Sequence, residues 1–132
     1  MSGPALQNIR VLAAVIVHQG RYLVCERPLD KRHGGLWEFP GGKMEAGESL
    51  FEAANRELTE ELNVGAVEVG EPLYSVHDEG SPFVIDFVPC EIVGVPRPLE
   101  HAEIRWAALE DIQHLDLAPS DRKFVRFLLD RR

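Results

Sequence analysis

Apolar residues recur along this chain with two different periods, and the switch between them marks its elements. Ile9 to His18 is a long apolar run, Gln19-Gly20 is a tight turn, and Tyr22 to Arg27 alternates as a strand, which together predict a β-hairpin. From Ser49 the spacing becomes helical. Leu50, Phe51, Ala54, Leu58 and Leu62 predict one buried stripe, and Ser49 with Glu52 forms the S-x-x-E capping box that starts it. Strand patterns return over Val67 to Val76 and Phe83 to Ile92, around Gly80-Ser81-Pro82, with Phe83, Ile85 and Phe87 on one face and Asp86 on the other. Ile104 to Ala107 reads as a short strand and Glu110 to His114 as a helical turn. Asp121 to Leu129 reads as a helix with Phe124, Val125, Leu128 and Leu129 inward. Mixed strands with helices on both faces imply the α/β class, as an α/β/α sandwich with a mixed sheet.

Composition narrows this further. With 132 residues, 45% of them apolar, the chain has room for one core, so residues 1–132 are expected to form a single domain. The N-terminal MSGPALQNIR lacks a basic segment followed by an apolar one, and no stretch reaches the roughly 20 apolar residues of a membrane span, so a cytoplasmic protein is expected. Cys25 and Cys90 lie in apolar runs without CxxC spacing, which predicts buried free thiols. A net charge of −8 argues against binding long nucleic acids. Yet the charge is uneven: Arg21, Arg27, Lys31, Arg32 and Lys43 give residues 21–43 a basic balance, whereas residues 45–61 hold six glutamates against Arg56 alone. A phosphate-facing loop beside a metal-facing helix produces such a split.

Within the helix, Glu57, Glu60 and Glu61 share one face. Bare like charges at that spacing destabilise a helix by roughly 0.2–0.5 kcal/mol per pair, and a cation removes the repulsion. Clustered hard oxygen donors without Cys or His suit Mg²⁺, with Mn²⁺ possible. The apolar stripe places this acidic face outward, and Glu52, four residues before Arg56, stands in the order of an ion pair. Upstream, Phe39-Pro40-Gly41-Gly42 is expected to break the chain in a tight turn that exposes a carbonyl or lets backbone approach a ligand.

The segment GKMEAGESLFEAANRELTEELNV, residues 42–64, resembles the Nudix box: glycine, five residues, glutamate, seven residues, then Arg-Glu-apolar-x-Glu-Glu-x-Gly-apolar. Every defined position matches except Asn63, which replaces the final glycine. That position is the helix C′ residue, where Asn also tolerates the left-handed conformation. Residues 27–43, RPLDKRHGGLWEFPGGK, and the stretch from Leu115 to Asp121 are similar to the MutT-type branch. The resemblance implies the Nudix fold and a Mg²⁺-dependent enzyme that splits nucleoside triphosphates into a monophosphate and pyrophosphate. By position it implies Glu57, Glu60 and Glu61 as metal ligands with the Gly41 carbonyl, Glu57 doubling as base, and Arg56 orienting a box glutamate together with Glu48. Arg27 and Lys43 are expected at the phosphates. A further acid is expected before the last strand, Glu103 in preference to Glu100.

The base is less legible. Asp121 falls where MutT-type enzymes are expected to read the base, and an ionised aspartate only accepts hydrogen bonds. Such an acceptor suits guanine or cytosine alike. Phe83, Phe87 and Trp37 are stacking candidates, with core packing the expected duty for most of them, and His33, His77 and His101, without metal-ligand spacing, are expected in surface or loop roles. The overall similarity favours 8-oxo-dGTP, with a CTP-like pyrimidine triphosphate as the alternative. Other nucleoside diphosphate derivatives, or a non-catalytic nucleotide sensor, are weaker fits, since no box glutamate is lost. A monomer or a homodimer is equally compatible.

Overall fold

Residues 8–131 are described by a computed structural model. The start of the segment expected to lack a leader, residues 1–7, lies outside the described residues. The long apolar run splits at Ile16. Strand β1 (Ile9–Val15) is followed by β2 (Val17–His18), which alone forms the expected hairpin with β3 (Arg21–Glu26) across Gln19-Gly20. Both turn residues have positive φ, 52° and 76°, as a primed two-residue turn requires.

Two short strands follow, β4 (Trp37–Glu38) and β5 (Gly41–Lys43). The latter corrects the expected tight turn. Gly41 and Gly42 lie extended beside β1, opposite Ala13 and Leu12. Glycine is required for that approach, because a Cβ on Gly41 would stand 1.8 Å from the Leu12 carbonyl oxygen. Helix α1 (Leu50–Leu62) comes next. Its capping box is formed, and Asn63 ends it in the left-handed conformation, φ 58° and ψ 38°.

The single strand expected over Val67 to Val76 is two, β6 (Gly65–Val69) and β7 (Tyr74–His77), both paired antiparallel with β8 (Phe83–Val93). Gly70 and Pro72 interrupt it, since proline has no N–H to give the ladder. The chain closes with β9 (Glu103–Ala107), α2 (Leu109–Ile112) and α3 (Pro119–Asp130).

One sheet runs β5-β1-β8-β6, with β7 also on β8; the other holds β2-β3-β4, with β9 on β3. Strands β1 and β8 are parallel and the other pairings are antiparallel, so the sheet is mixed. Alternation along β1 divides the core. Leu12 and Ala14 pack with Ala53, Ala54, Leu58 and Leu62 of α1, whereas Ala13 and Val15 belong with Phe39, Phe87, Phe124 and Val125. Helices thus cover opposite faces, as the expected α/β/α sandwich requires. Phe87 and Phe124 stack with centroids 4.2 Å apart.

Two details of α1 differ from the expected stripe. Phe51 is 43% exposed and Ala53 takes its place in the core. The acidic face is not uniformly outward either, since Glu61 is only 4% exposed. Cys25 and Cys90 are buried free thiols; burial holds Cys25 well above its ordinary pKa and pushes Cys90 up to about 12. No helix among the described residues is long and apolar enough to cross a membrane.

Candidate active site

Helix α1 points two of its three box glutamates inward, because β5 lies against it. The Glu57 side chain is 12% exposed and that of Glu61 6%, while that of Glu60 is 53% exposed. Arg56 fixes this geometry. Its guanidinium donates to Glu48 at 2.7 and 2.9 Å, to Glu57 at 2.7 Å and to the Lys43 carbonyl at 2.9 Å, tying α1 to β5. Glu52 does not pair with Arg56; it completes the capping box. The Arg56 hydrogen bonds hold the Glu48 carboxyl down at about 2. Glu60 reaches Arg56 only at 3.7 Å.

Beyond Glu57 lies a cavity of about 210 Å³ lined by Arg27, Lys31, Glu38, Gly41, Glu57, Glu61, Glu100 and His101. The segment before β9 is pinned there by its backbone: Arg97 and Leu99 donate to the carbonyls of Leu62 and Glu61, and Ala102 donates to Glu26. Glu100 therefore faces the cavity. Glu103, the acid preferred from the sequence, does not; it begins β9, is half exposed and takes a hydrogen bond from Arg105, two residues along the same strand face.

His101, expected in a surface or loop role, is instead buried, 3.0 Å from Glu38 and 3.6 Å from Glu61. Burial first, then the charges of Glu57, Glu38 and Glu100, hold the Glu61 carboxyl well above the usual carboxylate range. Neither Glu61 Oε2 nor His101 Nδ1 has a hydrogen-bond partner among the described residues.

A second cavity, of about 300 Å³, adjoins the first and shares Arg27, Glu38 and Gly41 with it. Val11, Ala13, Phe39, Ile85 and Phe83 make its apolar walls; Arg32, His33, Lys43, Asp78, Ser120 and Asp121 are its polar lining. The Lys43 ammonium sits over the Phe83 ring, 5.2 Å from the centroid. Trp37 and Phe87 are core residues, as expected. Arg27 donates to the Arg32 carbonyl at 2.7 Å and lies 3.3 Å from Glu38, between the two cavities.

Asp121 is buried at the start of α3 and accepts from the Phe39 N–H at 2.9 Å. Burial pushes its carboxyl up to about 8. A carboxyl raised this far favours its protonated form, which has a hydroxyl to donate beside its acceptor oxygen.

The sequence profile of the NUDIX domain matches residues 7–128. The chain belongs to the Nudix family. A CTP pyrophosphohydrolase of Escherichia coli is 38% identical over 120 residues, 88% of this chain and 87% of the relative. A provisionally assigned 8-oxo-dGTP diphosphatase 2 of Mycobacterium tuberculosis is 31% identical over 121 residues, 89% and 86%. Among solved structures, a MutT Nudix hydrolase from Burkholderia pseudomallei superposes with a TM-score of 0.80 at 29% identity, covering 91% of this chain and 97% of its own. The protein is a Nudix hydrolase, acting on phosphate anhydrides in nucleotide substrates.

Nudix hydrolases generally use divalent metal ions, and the acidic cavity fits one. Its donors are hard carboxylate oxygens, one of them buried without a partner, and their mutual repulsion is what a cation relieves. No group of three His, Cys, Asp or Glu side chains among the described residues is already arranged to hold a metal.

Sequence reasoning passed over Glu38 and His101, which line the acidic cavity, and Asp78, which lines the other. Glu38 lay within a quoted motif, WEFPGGK, and alternation around Trp37 was the available signal. His101 and Asp78 sit in loops, where no periodicity reveals direction.

Proposed function

We propose that this Nudix hydrolase is a Mg²⁺-dependent nucleoside triphosphate pyrophosphohydrolase that releases a nucleoside monophosphate and pyrophosphate. The observation that carries this is the junction of the two cavities: a partly apolar chamber of base size opens through Arg27, Glu38 and Gly41 onto the carboxylates of α1. Arg27 and Lys43 are the phosphate-binding residues, with Lys31 beside Arg27 in the acidic cavity. Glu57, Glu61 and the Gly41 carbonyl would hold the magnesium ion, with Glu60 joining if its exposed side chain swings inward. Bound there, the ion would neutralise phosphate charge and lower the pKa of a coordinated water. Glu57, one oxygen held by Arg56, is the group to take the proton from the attacking water, with Arg56 and Glu48 positioning it.

For the base, the Escherichia coli relative favours a CTP-type substrate. The Mycobacterium tuberculosis relative supports 8-oxo-dGTP, the substrate favoured by the sequence, as the second reading. Incubation with Mg²⁺ and a panel of normal and oxidised nucleoside triphosphates, nucleotide sugars and dinucleotides, with products separated by chromatography, tests the proposal. Monophosphate and pyrophosphate from triphosphates, lost in Glu57→Gln, are expected. Turnover unchanged in Glu57→Gln, or confined to other diphosphates, overturns it.

A further inference from the structure

The chamber beside the acidic cavity has a polar end built by two separate pieces of chain. From the turn between β7 and β8 comes Asp78, and from the start of α3 come Ser120 and Asp121. Asp78 is held in place from several sides. Its N–H donates to the Phe83 carbonyl at 2.9 Å, its Oδ1 accepts from the buried Ser120 hydroxyl at 2.8 Å, and its Oδ2 lies 3.1 Å from the Ser81 hydroxyl. A carboxylate has about four lone-pair sites, so each oxygen keeps room for a further donor. Phe83 and Ile85 line the same chamber from the adjoining strand, and Phe83 offers an aromatic face to a flat ring.

What this end lacks is equally informative. Among the described residues, the β7–β8 hairpin and α3 contribute two carboxyl groups, one hydroxyl already given to Asp78, and apolar side chains; neither amide nor cation comes from them. A ring bearing a carbonyl towards Asp78 would set one acceptor against another with no donor between them. A ring bearing an amino group there would be matched.

We propose that Asp78 is a base-selecting residue that accepts the exocyclic amino group of the nucleobase, so that the enzyme favours cytosine triphosphates over uracil and thymine triphosphates. Cytosine carries an N4 amino group where thymine carries the O4 carbonyl. Asp121 stands at the same end of the chamber as a second carboxyl, at the start of α3. This assignment rests on the triphosphate pyrophosphohydrolase proposed above and deepens it.

The test is a comparison of kcat/KM for CTP and UTP, and for dCTP and dTTP, with Mg²⁺ held constant, in the wild type, Asp78→Asn and Ser120→Ala. The wild type is expected to favour the amino-bearing member of each pair by at least about 100-fold, as sites built to hydrogen-bond a substrate group do. Asp78→Asn keeps the shape of the side chain but replaces one acceptor with a donor. It should shrink that ratio by about 10-fold or more, mostly through KM for CTP and dCTP. Ser120→Ala leaves the carboxylate in the chamber but removes one of the donors that hold it, and should lower the preference by less than Asp78→Asn does. A wild type that hydrolyses both members equally overturns the base assignment while leaving the triphosphate reaction standing. A ratio untouched by Asp78→Asn, or lost as fully in Ser120→Ala, overturns the role of Asp78. A wild type that hydrolyses no triphosphate at all overturns the proposed function together with this inference.

Discussion

Glu57 keeps its carboxylate where any residue but glycine at position 42 would carry a side chain: a Cβ on Gly42 would lie 2.5 Å from a Glu57 oxygen. Its neighbour Gly41 is crowded by backbone, the Leu12 carbonyl, and not by a movable side chain. The two glycines should therefore fail differently. Gly42→Ala is expected to fold with a melting temperature near that of the wild type yet lose about 100-fold or more in kcat/KM, because Glu57 must swing away. Gly41→Ala must part β5 from β1 and should lower the melting temperature itself. Thermal melts and steady-state kinetics on both variants check this contrast.

Arg56 presents a rigid fork to Glu48, Glu57 and the Lys43 carbonyl at once. Lysine keeps the charge and loses the fork. Arg56→Lys should reduce kcat/KM by about 10- to 100-fold, the range typical for groups that orient a metal ligand, and Glu48→Gln should act in the same direction. Kinetics at saturating Mg²⁺ measure both.

Glu61 is buried among Glu57, Glu38 and Glu100, with an unpartnered oxygen. Glu61→Gln removes a carboxyl that is poorly placed unless a cation joins it. Without Mg²⁺ its melting temperature should equal or exceed that of the wild type by up to about 3 °C. The rise in melting temperature that Mg²⁺ gives the wild type should vanish in the variant. Differential scanning calorimetry with and without the ion separates the two effects.

Much of this geometry was legible beforehand, and the failures have physical causes. The capping box and Asn63 are local, their hydrogen bonds spanning a few residues, so the sequence showed the extent of α1 well. Strand boundaries were harder. Val11 to Val17 is apolar throughout, with Leu12 to Ile16 buried on both faces, and no alternation marked the passage from one sheet to another at Ile16. The Gly41-Gly42 pair looked like a turn because glycine serves turns and close contacts equally. Glu100 and Glu103 could not be told apart, since only the backbone anchors of Arg97, Leu99 and Ala102 decide which acid faces the cavity.

That distinction is itself measurable. Glu100 lines the acidic cavity, and Glu103 pairs with Arg105 at the surface. Glu100→Gln is expected to change kcat/KM by about 10-fold or more, and Glu103→Gln by less than about twofold. Equal losses in the two variants would contradict the placement.

Asp121 gives a dependence on pH with a defined sign. Its carboxyl, ordinarily near 3.8, is raised to about 8 by burial, so between these values the folded protein binds a proton that the unfolded chain has released. The contribution of this group is fully present below about 4 and is lost as pH rises towards 8, at about 1.4 kcal/mol per pH unit. Asp121→Asn should flatten that part of the profile. Urea melts of the metal-free protein at several pH values, compared with the variant, provide the measurement.

Strand β1 turns Leu12 and Ala14 towards the helix that carries the carboxylates, and Val11 and Ala13 towards the larger, partly apolar chamber. The two cavities are thus fastened to opposite sides of the same few residues. Under the proposed function, a nucleotide seated by its base would deliver its phosphates at a reach set by this shared strand.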